Sequence, residues 1–399
     1  MSAPATPKGL RTRERLIEAS GAVFARKGCA ASGVADICAA AGLAVGGFYR
    51  YFTSKEEIIA ALARELRDEL IRAISELPQQ KNAEKEALVI STAFFEAAGA
   101  RLDSFKAMRE AEAADEALAR DFYGPLAEVI AGRLGRFAPG PRAAAHAWAL
   151  LGSLYFYAVK FMVWEKGGVP ARAAEAAAKL CAKGLSRRTF PWWEPALAGP
   201  SKSRPDPRDT GGIMLAAAEE VFGRCGYNGA RVSEIAKKAG FASGTFYLFF
   251  ASKEEALEKV VMRMRDCLVK KAAAYSAGAG SRVETEAMAF RALFDFIREH
   301  PYGYRIMREA EFADAALADA YYGYFLRNYS AQLKKTAVAG EFNIEDTELL
   351  ALALMGMGHM LGMKRVLWGG FRGMTENEIL KAVFEGIIPN PARKQDSPR

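Results

Sequence analysis

Forty-two consecutive residues, Leu16 to Glu57, recur without a gap as Met214 to Glu255, an offset of 198, with 18 positions identical. Self-similarity over so long a stretch marks a duplicated structural unit. The most similar part of the first copy runs Ala41-Gly42-Leu43-Ala44-Val45-Gly46-Gly47-Phe48-Tyr49-Arg50-Tyr51-Phe52-Thr53-Ser54-Lys55-Glu56-Glu57. The second runs Ala239-Gly240-Phe241-Ala242-Ser243-Gly244-Thr245-Phe246-Tyr247-Leu248-Phe249-Phe250-Ala251-Ser252-Lys253-Glu254-Glu255. Farther on, Met108-Arg109-Glu110-Ala111-Glu112 returns as Met307-Arg308-Glu309-Ala310-Glu311 at an offset of 199, and Phe122-Tyr123-Gly124 as Tyr321-Tyr322-Gly323. Gly152, Lys160 and Trp164 meet Gly356, Lys364 and Trp368 at 204, so five residues are inserted near Phe342. The chain of 399 residues is therefore two repeats in tandem.

Each repeat opens with a one-sided helix. From Arg11 to Lys27, Leu16, Ala19, Ala22 and Val23 fall at three- and four-residue steps between charges. Gly28 ends it, and Gly226 ends its copy as a left-handed cap. A short helix follows at 34–40 (232–238), then a glycine turn at Gly42 (Gly240), then a second short helix at 45–51 (243–249). Two short helices joined by such a turn make a helix-turn-helix. Ser54 and Ser252 stand where an N-cap belongs, with Glu57 and Glu255 three residues on to complete a capping box. Long helices are expected at 84–100, 103–114, 115–137, 141–164 and 170–187, and in the second repeat at 281–299, 302–312, 313–338, 344–368 and 376–387. Gly124-Pro125 should kink the third of the first set. No run alternates with period two, so the fold class is all-α.

The boundaries read as a helix-turn-helix domain at 8–54, a helical domain at 55–190, a linker at 191–208, a second helix-turn-helix domain at 209–252 and a second helical domain at 253–390. The linker is rich in proline and polar residues, and as extended chain its length spans about 55 Å.

Composition narrows the function. A hydrophobic content of 51% is ample for two cores. Five cysteines without a C-x-x-C pair, and no signal peptide, point to reduced thiols in the cytoplasm. His146, His300 and His359 stand apart from cysteines and carboxylates, so no metal site is expected. The most apolar stretch, Trp148 to Trp164, carries Lys160 and is short for a membrane span, which makes it a buried helix. No nucleophile and base pair or phosphate-binding glycine loop supports an enzyme. The net charge of +8 suits a polyanionic partner.

The quoted segments resemble the TetR family of bacterial transcriptional regulators, whose members read A-G-V-S-x-G-T-x-Y-x-Y-F-x-S-K-E-E there. The first repeat keeps Ala41, Gly42, Gly46, Tyr49, Tyr51, Phe52, Ser54, Lys55, Glu56 and Glu57. The second keeps Ala239, Gly240, Gly244, Thr245, Tyr247, Phe250, Ser252, Lys253, Glu254 and Glu255. The resemblance implies a double-stranded DNA operator bound by the helix-turn-helix and a small-molecule effector bound by the helical domain. Ordinary members are homodimers; here the protomers are fused, which implies a monomer acting as a pseudo-dimer on an imperfect palindrome, with higher assembly left open.

Recognition-helix side chains read base edges while cations hold phosphates. The expected DNA contacts are Lys8, Arg11 and Arg13 on an N-terminal arm, Gly46, Gly47, Tyr49, Arg50 and Lys55 in head 1, and Arg231, Lys238, Ser243, Thr245, Tyr247 and Lys253 in head 2. Lys55 and Lys253 sit at helix starts, a poor place for a cation unless a phosphate is near. Arg50 has Leu248 as its counterpart, so the heads should read unlike half-sites. Arg109 with Glu112, and Arg308 with Glu311, read first as plain intrahelical ion pairs three residues apart, and otherwise as a polar anchor in a pocket or a hinge between ligand helix and reading head.

For an apolar or aromatic effector, with no cofactor, the expected lining in the first repeat is Phe94, Phe95, Phe105, Met108, Phe122, Tyr123, Trp148 and Tyr155. In the second it is Phe290, Phe294, Tyr304, Met307, Tyr321, Tyr322, Met355 and His359. Lysine and arginine look scarce on these faces, which favours an aromatic or acyl ligand. His359 also fits a satisfied core histidine, and Gly356, Gly358 and Gly362 a close helix contact between repeats. The leading function is an effector-responsive repressor; the alternative is a sensor or scaffold with degenerate reading heads.

Overall fold

The computed structural model describes residues 6–186, 209–313, 315–336 and 341–388. The expected linker at 191–208 lies outside them. Helices account for the named elements throughout, and the sole β-type pairing among the described residues is an isolated bridge between Ser186 and Phe342. By compactness the chain divides into two units that cut across the sequence repeat. Unit 1 comprises Met1–Gln79, Val89–Ile130 and Ala158–Pro170; unit 2 comprises Gln80–Leu88, Ala131–Tyr157 and Ala171–Arg399.

The first repeat contributes α1 (Pro7–Lys27), α2 (Val34–Ala40), α3 (Val45–Phe48), α4 (Lys55–Ser75), α5 (Ala83–Ala100), α6 (Leu102–Ala114), α7 (Glu116–Leu134), α8 (Pro141–Ala158) and α9 (Ala171–Lys183). Thr6 caps α1 and proline opens it, so the helix starts four residues earlier than its apolar periodicity indicates. Its inner face is Leu16, Ile17, Val23 and Phe24, whereas Ala22 is exposed. Gly28 ends it at φ 82° and ψ 152°, a conformation open almost only to glycine, though not the left-handed helical one. Gly226 behaves alike at φ 71° and ψ 162°. Pro125 lies inside α7, which continues through it as one element. Past Ala158, α8 widens into a π-helical turn, Val159–Trp164.

The second repeat follows with α10 (Thr210–Gly229), α11 (Val232–Ala239), α12 (Ser243–Phe246), α13 (Lys253–Ser276), α14 (Arg282–Glu299), α15 (Pro301–Ala313), α16 (Ala315–Ala318), α17 (Tyr324–Thr336), α18 (Thr347–Gly362) and α19 (Glu376–Glu385). The single helix expected over 313–338 is broken by a π turn at Asp319–Gly323. A further π turn, Met363–Leu367, extends α18 at the position matching the one after α8.

Within unit 2, α8 and α18 cross at Gly152 and Gly356. The backbones touch there: a Cβ on Gly152 would lie 2.2 Å from the Gly356 carbonyl oxygen, and one on Gly356 2.0 Å from that of Gly152. Around the crossing Tyr157 donates a buried hydrogen bond to the Leu349 carbonyl, 2.9 Å, and Trp148 packs on Trp368 at 5.7 Å. Gly358 and Gly362 do not join this contact; they face Leu293 and Ile297 of α14. The ends of α9 and α19 meet as closely, with Gly184 against Gly386 and Leu185 N–H donating to the Phe384 carbonyl. Asn343, in the inserted loop, ties the end of α9 down by donating to the carbonyls of Lys183, Gly184 and Ser186.

Pro141–Trp164 and Thr347–Leu367 are long and apolar enough to cross a membrane, so length is not what argues against a span. Burial is: 83% and 78% of their apolar windows are inside the protein.

Replacing Gly152 with leucine should force α8 from α18 and cost about 1–3 kcal/mol or more, read as a lower Tm than wild type. A second expectation concerns His146, which is 1% exposed on α8 with no hydrogen-bond partner for Nε2. Burial, reinforced by the charge of Arg142, lowers its pKa to about 3. The ring stays neutral in the fold, while the unfolded chain takes up that proton near pH 6.5, so stability is lost as pH falls from about 6.5 toward 3. His146→Leu should shrink the drop in urea midpoint between pH 7.5 and 5.

Candidate nucleic-acid interface

Head 1 is organised around Phe48 and Phe52, both within 1% of full burial, packed with Leu16, Phe24, Ile37, Ile58 and Leu62. Phe246 and Phe250 do the same in head 2. The recognition helices are shorter than expected, α3 and α12 each having four residues, with residues 49–51 and 247–249 continuing as a turn. The reason is local: once Phe48 or Phe246 is anchored inward, the chain tightens into i to i+3 bonds such as Tyr51 N–H to the Phe48 carbonyl, 2.8 Å. The heads match closely. Phe48 meets Tyr49 at 5.4 Å and 81°, and Phe246 meets Tyr247 at 5.4 Å and 83°.

Anchoring the phenylalanines turns Tyr49 and Tyr247 outward, 51% and 59% exposed. Arg50, Gly46, Ser243 and Gly244 are exposed beside them, and Gly47 and Thr245 are half-buried. Lys8 and Arg11 are exposed too, but they belong to α1 rather than to an arm. Arg231 is the exposed N-cap of α11. Lys238 is exposed and pairs with Glu220 at 2.7 Å, a surface bridge weak enough to exchange for a phosphate.

Three expected phosphate contacts are engaged elsewhere. Arg13 bonds Glu65 at 3.1 Å, with its guanidinium 5.4 Å over the Phe52 ring. The Lys55 ammonium donates to the carbonyls of Cys29, Ala30 and Ser32, at 2.8, 3.4 and 3.0 Å. Lys253 donates to those of Tyr227 and Ala230, at 2.9 and 3.2 Å, and lies 4.4 Å above the Tyr227 ring. A lysine at a helix start needs no phosphate when the loop after the preceding long helix presents free carbonyls. Ser54 and Ser252 cap α4 and α13 by accepting from Glu57 and Glu255 N–H. The glutamates reach one residue beyond the usual box, accepting from Thr53 N–H and Ala251 N–H.

The same loop is held from the other side by a residue that the sequence reading passed over. Glu110 accepts from Ala30 N–H at 3.2 Å, and Glu309 from Tyr227 N–H at 3.0 Å. Arg305 fixes Glu309 at 2.8 Å and also donates to the Gly223 carbonyl. The loop's carbonyls thus bind a lysine and its amide a glutamate. The signal was available: Glu110 is the central residue of the repeated five-residue motif, and it lies against the glycine that ends α1.

On the same helices Arg109 and Glu112 are 3% and 1% exposed, and Arg308 is 8% exposed, so these charges lie inside the protein rather than on its surface. Each helical domain holds an arginine inside, contrary to the expected scarcity of cations. Phe94, Phe95, Phe105, Met108, Phe122 and Tyr123 are buried in unit 1. Trp148 and Tyr155 belong to unit 2, where Tyr155 stacks on His359 at 5.7 Å and 13°. There Tyr304 and His359 Nδ1 share a buried hydrogen bond of 2.7 Å, and Phe156 bridges His359 and Tyr322. Burial, then the charge of Glu311, pushes the Tyr322 hydroxyl well above its ordinary pKa. Met307 and Tyr321 are buried and Met355 is half-buried. Phe290 and Phe294 are core, Phe290 meeting Phe384 of α19 at 5.5 Å.

Lys55→Ala should lower the stability of head 1 by about 1–3 kcal/mol, because three carbonyls lose a charged donor. Melting and salt-dependent DNA binding measured on one sample check this: Tm falls, while the slope of log affinity against log salt keeps its wild-type value. A slope reduced by one ion without loss of stability would return Lys55 to phosphate binding.

The model of the N-terminal domain described as bacterial regulatory proteins, tetR family, matches twice, at residues 16–62 and 214–260. Among curated proteins, the transcriptional activator FasR of Mycolicibacterium smegmatis is 36% identical over 107 residues, 27% of this chain and 49% of its own length. The fatty acid metabolism regulator protein of Bacillus subtilis is 42% identical over 69 residues, 15% of this chain and 36% of its own. The chain thus spans half or less of the curated relatives it matches. Among solved structures, the fatty acid degradation regulator FadR of Bacillus halodurans aligns with a TM-score of 0.40 at 22% identity, over 46% of this chain and 97% of that one. The family's DNA-binding domain is thus matched at both copies of the helix-turn-helix, and the chain carries two tetR-family DNA-binding domains in tandem.

Proposed function

We propose that the chain is an effector-responsive transcriptional repressor of the cytoplasm whose two repeats pair with each other, one polypeptide serving as the dimer on an imperfect palindrome. The observation that carries this reading is that counterpart residues touch. Gly152 meets Gly356 and Tyr155 meets His359, each pair at the repeat offset of 204. A twofold interface has that property, a patch meeting its own copy. Covalent linkage favours the pairing further by raising the effective concentration of one half for the other. Intact aromatic anchors in both heads speak against the alternative of a scaffold with degenerate reading heads.

The effector is an acyl or aromatic molecule held in the second repeat's helical domain, its polar end toward Tyr304, His359 and Arg308. Phe105 and Phe122 stand in the first repeat where the second has Tyr304 and Tyr321, so the hydroxyl-bearing set exists once per chain. The name of the Bacillus subtilis relative points to acyl chemistry. To release DNA, the ligand must bind the released arrangement more tightly than the bound one.

Light scattering should give a 43.4 kDa species, and affinity for genomic fragments should fall steeply with salt. A particle of twice that mass, or binding indifferent to salt, would contradict the proposal. Calorimetry with palmitoyl-CoA and with the free acid should show at most one equivalent per chain, and Tyr304→Phe should weaken binding roughly 3- to 10-fold. Two equal sites would rule out the single polar site.

A further inference from the structure

The two heads have the same geometry and expose different chemistry. Two backbone bonds of the recognition element repeat from head to head: Gly47 N–H to the Ala44 carbonyl at 2.8 Å with Thr245 to Ala242 at 3.0 Å, and Phe52 to Phe48 at 3.1 Å with Phe250 to Phe246 at 3.0 Å. Ring contacts orient Tyr49 and Tyr247 alike. A side chain at a given position therefore leaves both heads in the same direction, and any difference in reading comes from its identity.

Two exposed positions differ in a complementary way. At the first residue of the recognition helix, head 1 presents Val45, 44% exposed, where head 2 presents the hydroxyl of Ser243. Five residues on, head 1 presents Arg50, and head 2 presents Leu248, which at 79% exposure has almost no cover from the protein. Apolar and polar groups have exchanged places. In the major groove a guanidinium pairs with the O6 and N7 of guanine, an apolar side chain favours the methyl of thymine, and a serine hydroxyl bonds several bases. Tyr49 and Tyr247 are common to both heads and add no difference.

We infer that Val45, Arg50 and Leu248 are specificity-determining residues that make the half-sites chemically distinct, so that the chain binds its operator in a single orientation. Head 1 takes thymine opposite Val45 and guanine opposite Arg50; head 2 takes thymine opposite Leu248 and tolerates several bases opposite Ser243. This rests on the operator-binding function proposed above. It goes beyond it in one respect. A homodimer presents two identical heads and can be reversed on a palindrome without change, whereas this chain cannot, and a promoter placed to one side always faces the same repeat.

The test is selection of bound duplexes from a randomised library by the full-length chain, in wild type, Arg50→Leu, Leu248→Arg and the double exchange. The wild type should enrich a site whose halves differ at the two positions. Arg50→Leu should remove the guanine from one half only and lower affinity for the wild-type site roughly 10-fold. Leu248→Arg should introduce a guanine into the other half. The double exchange should move the guanine into the half lacking the Val45 thymine. A palindromic wild-type consensus, or a change in both halves from one substitution, overturns the inference while leaving operator binding intact. Absence of any enriched sequence overturns both it and the operator-binding reading. Circular dichroism of each variant separates loss of reading from loss of fold, and these exposed positions should leave Tm within a degree or two of wild type.

Discussion

The backbone contact between Gly152 and Gly356 constrains unit 2 more than any side chain does. Two helices come close enough to touch main chain to main chain only where neither carries a Cβ, and the approach then decides what flanks it. Trp148 is brought to Trp368, Tyr155 to His359, and the Tyr157 hydroxyl to the Leu349 carbonyl. All of these residues except Trp368, which caps the second helix, lie on helices apolar enough for a membrane, and they become interior because the helices pair instead of facing solvent. Packing so tight has little slack, and small changes there are felt as strain rather than absorbed.

A second constraint governs the heads. The loop after the first long helix has carbonyls pointing one way and an amide the other, and it is gripped on both sides. Lysine from the start of α4 or α13 binds the carbonyls, and glutamate from α6 or α15 binds the amide. Glu110 and Glu309 stand on helices that also carry the buried Arg109 and Arg308. One rigid rod therefore touches both the loop of a reading head and the interior of the helical domain.

Much of this was legible in the chain itself. Apolar periodicity and glycine punctuation fixed the helices to within a few residues, because each signal acts over one or two turns. The Ser-x-x-Glu cap, the glycine stop and the phenylalanine anchors are equally local. Less legible were the intramolecular partners of side chains judged from their position in one element. Lys55 at a helix start implied a phosphate, yet the carbonyls it binds lie 23 to 26 residues away in sequence. Arg13 was given to DNA, but Glu65 is 52 residues on. For Arg109 and Glu112 the spacing shows adjacency on a helix and not which way the face turns, and the structure turns it inward.

By itself the sequence determined that the protein is a duplicated all-α chain with two TetR-type heads, since repetition, period and capping are written in neighbouring residues. It also determined that the heads differ at Arg50 and Leu248, because shared geometry leaves only side-chain identity to vary. Only the tertiary structure decided which aromatics meet. Tyr155 belongs by sequence to the first repeat and by packing to the His359 cluster of unit 2, for contacts between distant segments depend on which helix faces can approach. Here the absence of two side chains, at Gly152 and Gly356, selects the face, and a residue's partners follow from that selection rather than from its own neighbourhood.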